Sequence, residues 1–175
     1  LLIGTSYSGL YSYIPEEDKV LSFTNTIQAP PQGKVSSISE DRNGNALIVN
    51  ENGIYEYDYN QRILDLKLAR TRIGNAYSII EDKNGNWWIG SSQGLLLYNP
   101  ESEYIEIFTH KDGLPVNQFN FNSAYQSTDG KLFFGTIDGL ISFNPDEIKI
   151  QDSRAPSVHF TAYRTNNKDL QESLT

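Results

Sequence analysis

The sequence predicts an all-β chain built as a partial β-propeller of about three to four blades, each a four-stranded antiparallel sheet. Two markers repeat in phase along the 175 residues. A glycine-plus-apolar step recurs as Gly9-Leu10-Tyr11, Gly53-Ile54-Tyr55, Gly94-Leu95-Leu96 and Gly139-Leu140-Ile141, at offsets of 44, 41 and 45. A turn signal recurs as EDRNGN (40–45), EDKNGN (81–86) and STDGK (127–131), with its glycines 41 and 45 apart. Two landmarks sharing one period of that size mark a tandem array of propeller-blade length. The third observation is composition: 11 Tyr, 8 Phe, 2 Trp and 13 Gly favour strands and turns.

Along the chain, Leu1 to Thr5 reads as the second strand of a first blade whose own first strand is missing. The second copy is the fullest. Apolar alternation with period two assigns its strands A to D as Val35 to Glu40, Ala46 to Asn50, Ile54 to Asp58 and Arg62 to Leu66. Asn43-Gly44, Asn84-Gly85 and Asp129-Gly130 lie between short apolar runs, the signal for tight A–B hairpins whose turn residues take positive φ. Tyr104 to Phe108 alternates as a strand, and a fourth copy has A near Phe119 to Gln126, then B and C, but no fourth strand. Cut by sequence, the repeats run 1–45, 46–86, 87–131 and a truncated 132–150. Residues 151–175 read as a linker and the first strand of a following β-sandwich. An open arc leaves raw sheet edges, so the array is expected to continue in a longer polypeptide or to close with another chain, a homodimer included. The start at Leu1-Leu2-Ile3-Gly4, without an initiator Met, fits a piece of a longer protein.

Charge and motifs narrow the function. The formal charge is −8, and no Lys or Arg run exists to follow a phosphate backbone, so neither nucleic acid nor an anionic membrane surface is an expected partner. No apolar run is long enough to span a bilayer. With no Cys there are no disulfides or thiolate metal sites. His110 and His159 fall in different modules and make neither a metal set nor a catalytic pair. No nucleophile elbow, phosphate loop or zinc-protease motif is present. The Asp and Glu side chains, spread over turns and strand faces, read as solvated surface rather than as a hydrolase pair. Asp41-x-Asn43-x-Asn45 and Asp82-x-Asn84-x-Asn86 space oxygens like half a calcium loop, yet they lack its later Glu and its glycine position, and hairpin turns explain them better. No cofactor or metal is therefore expected.

The stretch SIIEDKNGNWWIGSSQGLLLYNPES at 78–102 resembles the two-component regulator propeller repeat, roughly I-x-E-D-x-x-G-x-L-W-I-G-T-x-x-G-L. Trp87 stands for its usual Leu and Ser91 for its Thr. Residues 36–58 are a weaker copy, 110–148 are similar to the last repeat of such arrays, and 154–170 resemble the opening of the sandwich that follows them. The resemblance implies the periplasmic sensor portion of a hybrid two-component histidine kinase, part of an inner-membrane protein that senses polysaccharide breakdown products. The fragment itself would be non-catalytic. A protein–protein scaffold or dimerisation propeller is the alternative, and a polysaccharide lyase or hydrolase propeller a third.

Trp88 is expected to pack between blades, while Trp87 could pack or meet a sugar, because adjacent strand residues face opposite ways. In an up-and-down blade the A–B and C–D turns share one end. The B–C turns, at Asn50 to Asn52 and Ser91 to Gln93, share the other with the long connections Thr26 to Lys34, Arg70 to Asn75 and His110 to Asn120. Long loops on a rigid scaffold concentrate recognition. The candidate ligand-binding residues are accordingly Arg70, Arg72, Asn75, His110, Asn117 and Asn120, facing an oligosaccharide.

Overall fold

A computed structural model describes residues 1–23 and 33–148, with the backbone of two short strands further on. Four antiparallel sheets follow one another. The first contains β1 (Leu2–Gly4), β2 (Leu10–Ile14) and β3 (Lys19–Ser22). The second contains β4 (Val35–Glu40), β5 (Ala46–Asn50), β6 (Gly53–Asp58) and β7 (Ile63–Ala69). After a single helical turn, α1 (Arg70–Ile73), the third is β8 (Ala76–Glu81), β9 (Trp87–Ser91), β10 (Gly94–Asn99) and β11 (Tyr104–Phe108). The fourth is β12 (Phe119–Gln126), β13 (Leu132–Thr136) and β14 (Gly139–Phe143). Strand order equals chain order in every sheet, so these are up-and-down blades forming an open, partial propeller. The sequence repeats are offset from these sheets by one strand. Most of the connection from Thr26 to Lys34, and the segment read as a sandwich strand, lie outside the described residues, save a two-stranded pair, β15 (Arg164–Thr165) and β16 (Lys168–Asp169).

The A–B hairpins are tight as expected, but positive φ falls on the glycine of each turn and not on the residue before it. Asp82 N donates to Asn86 O at 2.8 Å and Gly85 N to Asp82 O at 3.0 Å, and of the turn residues only the glycine has positive φ, 84° at Gly85. This is a type I turn closed by a left-handed glycine, so Asn84 needs no special conformation. Asp82 Oδ1 accepts from the backbone N–H groups of Asn84 (2.9 Å) and Asn86 (3.0 Å), and Asp41 does the same for Asn43 and Asn45. The carboxylates that mimicked a calcium loop are thus occupied in shaping turns.

Alternation decides which blade each side chain meets. Trp87 packs with Leu47, Val49, Ile54 and Leu68 of the second blade, whereas Trp88, 2% exposed, packs with Phe119, Leu132 and Phe134 of the fourth. Both indoles are therefore inter-blade wedges, and neither offers a face to a sugar. By area alone each stabilises by about 4–6 kcal/mol, an upper figure against an extended chain. Trp88 Nε1 donates to Asp82 Oδ2 at 2.8 Å, which satisfies the buried indole and links the turn motif to the wedge. The inner strands β4, β8 and β12 lie side by side, and Ser37 on β4 donates to Asn122 on β12 at 3.1 Å.

Candidate functional site

The two ends of the blades differ in what their polar groups are doing. At the A–B turn end they are paired with each other. Arg42, in the second blade's turn, donates its backbone N–H to Glu81 at 2.5 Å and brings its guanidinium within 3.6 Å of the same carboxylate. Burial pushes the Glu81 carboxyl above its ordinary value, opposed mainly by the Arg42 hydrogen bond. Lys83, at the matching position one blade on, pairs with Asp146, and Asn84 Nδ2 donates to the other Asp146 oxygen at 3.2 Å. The Lys83 hydrogen bond holds the Asp146 carboxyl below its usual range. One repeat position thus ties each blade to its successor. A polar cavity of about 370 Å³ between the second and third blades is lined by such pairs, including Lys67 with Glu56 at 2.9 Å. The Glu56 hydrogen bond raises the Lys67 pKa. Its two cations, Arg42 and Lys67, are both engaged by carboxylates of the lining, which leaves the cavity net acidic.

The opposite end is assembled by a repeated backbone bond. The second B–C turn residue or its neighbour donates to the carbonyl just before each inner strand: Glu51 N to Lys34 O at 3.2 Å, Ser92 N to Asn75 O at 2.8 Å, and Ile137 N to Gln118 O at 3.3 Å. This places Asn75 and the approach to β12 beside the B–C turns, as topology requires. Arg70 and Asn75 are exposed here, and Asn75 N also donates to Ser92 Oγ at 3.1 Å. His110 is exposed in a 3-10 turn, His110–Asp112, capped by Thr109. Asn120 Nδ2 donates to Thr136 O at 2.9 Å, and Asn117 Oδ1 is buried without a donor. Arg72 turns away: its guanidinium donates to Glu103 O at 3.2 Å and lies 3.7 Å from the Glu103 carboxylate, on the C–D turn of the third blade.

Two features were not read from the sequence. A groove of about 440 Å³ between the third and fourth blades is lined by Trp88, Phe108, Leu114, Pro115, Leu140 and Phe143. It lies beside β14, the open edge of the fourth sheet, and Leu140 there is 67% exposed. The Gly-Leu marker shows that Leu140 belongs to a blade, and its exposure goes with a sheet that has three strands among the described residues. The second is a bulge in β12 that carries Phe121 out to solvent, hidden in a run, FNFNSAYQ, that alternates like a regular strand.

Comparison with known proteins places these blades in context. The family model described as the two component regulator propeller matches residues 72–93, from α1 through β9 into the following turn. Histidine kinase P4 of Formosa agariphila is 33% identical over 73 residues, which is 42% of this chain and 5% of that protein. Among solved structures, the extracellular domain assigned to a hybrid two component system, BT3049, of B. thetaiotaomicron superposes with a TM-score of 0.71 at 20% identity, covering 98% of this chain and 25% of that one. The extracellular domain of BT4673 from the same organism, assigned to a one component system, gives 0.64 at 21% identity over 81% of this chain and 20% of its own. At such identities the likeness shows the fold. The chain spans about a twentieth of the kinase and a quarter of the first solved domain. Among the described residues no helix is long and apolar enough to cross a membrane.

Proposed function

We propose that this chain is part of the extracytoplasmic sensor of a hybrid two-component histidine kinase, that its loop end takes up an oligosaccharide, and that the blades relay the event to a kinase elsewhere in the parent protein. The observation that carries it is the phase-locked blade repeat whose third copy matches the two component regulator propeller model. The contrast between the ends supports it, since the Arg42 and Lys83 cations of the turn end are engaged by Glu81 and Asp146 and the loop end presents exposed Arg70, Asn75 and His110 on fixed turns. In this function the segment performs no chemistry. The parent is an inner-membrane protein with the propeller in the periplasm.

The test is thermal stabilisation of the parent extracytoplasmic region by a panel of neutral and acidic oligosaccharides. A bound glycan at a hundred times its Kd stabilises by about 2.7 kcal/mol, a shift of several degrees. No shift for any member would refute the proposal. A second reading, a propeller that holds a protein partner or a second copy, is favoured by the open β14 edge and the apolar groove beside it. Association that survives without saccharide and is lost in Leu140→Asp would support it.

A further inference from the structure

The inner strands begin at the loop end, and each starts with an irregularity. In β4 and β8 a single extra residue interrupts pairing, Ser36 between Val35 and Ser37 and Tyr77 between Ala76 and Ser78. In β12 the pairing jumps from Phe119 opposite Thr136 to Ala124 opposite Phe134, so five steps on one strand face two on the other. Asn122 sits at φ 48°, in the left-handed region that asparagine adopts more readily than most residues with a side chain. Bonds from within the bulge take the place of ladder bonds: the one Ser123 hydroxyl proton is shared between Asn120 O at 2.7 Å and Gly135 O at 3.1 Å, and Asn120 Nδ2 donates to Thr136 O. Bulges of this kind re-aim side chains and recur beside binding sites.

What it re-aims is Phe121. The ring stays 50% exposed although it meets Tyr77 edge to face at 5.2 Å, and the Lys34 ammonium lies 3.2 Å from its centroid. Lys34 has no carboxylate within ion-pairing distance among the described residues, in a chain of net charge −8. Asn122 Oδ1 already accepts from Ser37, which leaves its amide NH₂ as a donor, and Asn120, its NH₂ engaged with Thr136, keeps its side-chain oxygen as an acceptor. A half-exposed ring and a cation without a carboxylate partner among the described residues thus meet where β4, β8 and β12 lie side by side, with the Asn120 and Asn122 amides on the residues either side of the ring.

We propose that this cluster is a subsite for an anionic sugar, a hexuronate residue that packs against the exposed part of the Phe121 ring while its carboxylate pairs with Lys34. It rests on the sensory function proposed above and names the ligand class. The exposed part of the Phe121 ring supplies the apolar surface that a pyranose face needs, and the carboxylate gains a cation already held beside that ring. A neutral sugar would pack equally well but leave Lys34 unpaired.

Calorimetric titration of the parent extracytoplasmic region with tetragalacturonate, tetramannuronate and cellotetraose tests this. At least one uronide is expected to bind more tightly than cellotetraose by about tenfold, with an affinity that falls as salt rises. Lys34→Gln should remove that preference and the salt dependence, Phe121→Leu should weaken binding of every sugar by about tenfold, and Phe121→Trp should restore it. Melting curves check that the variants fold. Uronide binding unchanged in both Lys34→Gln and Phe121→Leu, or cellotetraose bound as tightly as either uronide, would overturn the subsite while leaving an oligosaccharide sensor intact. Failure of all three sugars overturns the uronide assignment, and the wider panel of saccharides then decides the sensory function separately.

Discussion

Alanine at Gly94 and alanine at Gly139 should differ sharply in cost, although the two glycines occupy the same place in successive blades. Their backbones are nearly alike, φ 130° at Gly94 and 136° at Gly139. A Cβ on Gly94 would lie 2.2 Å from the Phe108 carbonyl oxygen of β11, against a practical minimum of 3.0 Å, so the strands must part by at least 3.0 − 2.2 = 0.8 Å at that point. Among the described residues a Cβ on Gly139 meets nothing within 4 Å and no fourth strand pairs with β14. Both substitutions carry backbone strain of about 1–3 kcal/mol, offset in part by a stiffer unfolded chain. Gly94→Ala adds the loss of roughly two ladder bonds at about 1 kcal/mol each, giving about 3–5 kcal/mol. At about 3 °C per kcal/mol for a chain of this size, the expected falls in Tm are roughly 9–15 °C for Gly94→Ala and roughly 3–9 °C for Gly139→Ala. Thermal melts of the 175-residue chain followed by circular dichroism at strand wavelengths measure both. Equal falls would refute the idea that the strand beside Gly94 sets the difference. Where further chain covers β14, the two costs should converge.

Asp82→Ala should cost about 3 kcal/mol or more, since it strips an acceptor from two backbone N–H groups and from the buried Trp88 indole. Asp41→Ala, where Leu47 stands in place of the indole, should cost less, and urea titrations of the two variants compare them. Because the folded Asp146 carboxyl titrates below its unfolded value of 3.8, its pair with Lys83 contributes stability that is present above that pH and lost as pH falls through the depressed value. Lys83→Gln should flatten that acid limb, which carboxyl titration by NMR would detect. Glu81 acts in the opposite sense. Burial raises its folded pKa above 4.5, so its contribution is present below 4.5 and lost as pH rises through the raised value, and Glu81→Gln should remove this fall. The isolated chain, in which no described strand covers the outer edge of β14 and Leu140 is exposed beside an apolar groove, should self-associate in light scattering, and a well-behaved monomer would count against an exposed edge that acts as a docking site.

Most of the architecture was legible because repetition multiplies weak local signals. Val35–Glu40 and Ala46–Asn50 are strands as the alternation predicts, Gly44 and Gly85 close the hairpins, and Trp88 is the wedge between blades. The errors are local. The fourth strand of the second blade runs Ile63–Ala69 and ends in the turn of α1, where ARTRI carried no periodic signal over so few residues. That turn sends Arg72 to Glu103, a partner 31 residues away that no motif announces. Loop topology placed Asn120 among the candidate ligand-binding residues; its NH₂ is engaged in holding a bulge, and the register jump behind it depends on how β12 sits against β13. Phe121, in a run that reads as an ordinary inner strand, reaches solvent only through that jump. Sheet identity follows from pattern, whereas the aim of a side chain at a bulge follows from tertiary packing.

The most direct test of a sensor is whether occupancy of the blades changes phosphoryl transfer. Autophosphorylation of the parent protein in lipid nanodiscs, measured with and without the oligosaccharide that stabilises its extracytoplasmic region, should change by several-fold. The response should weaken in Asn75→Ala and His110→Ala and persist in Lys83→Ala. A sugar that binds and stabilises the blades yet leaves the autophosphorylation rate unaltered would contradict a sensory role for this propeller.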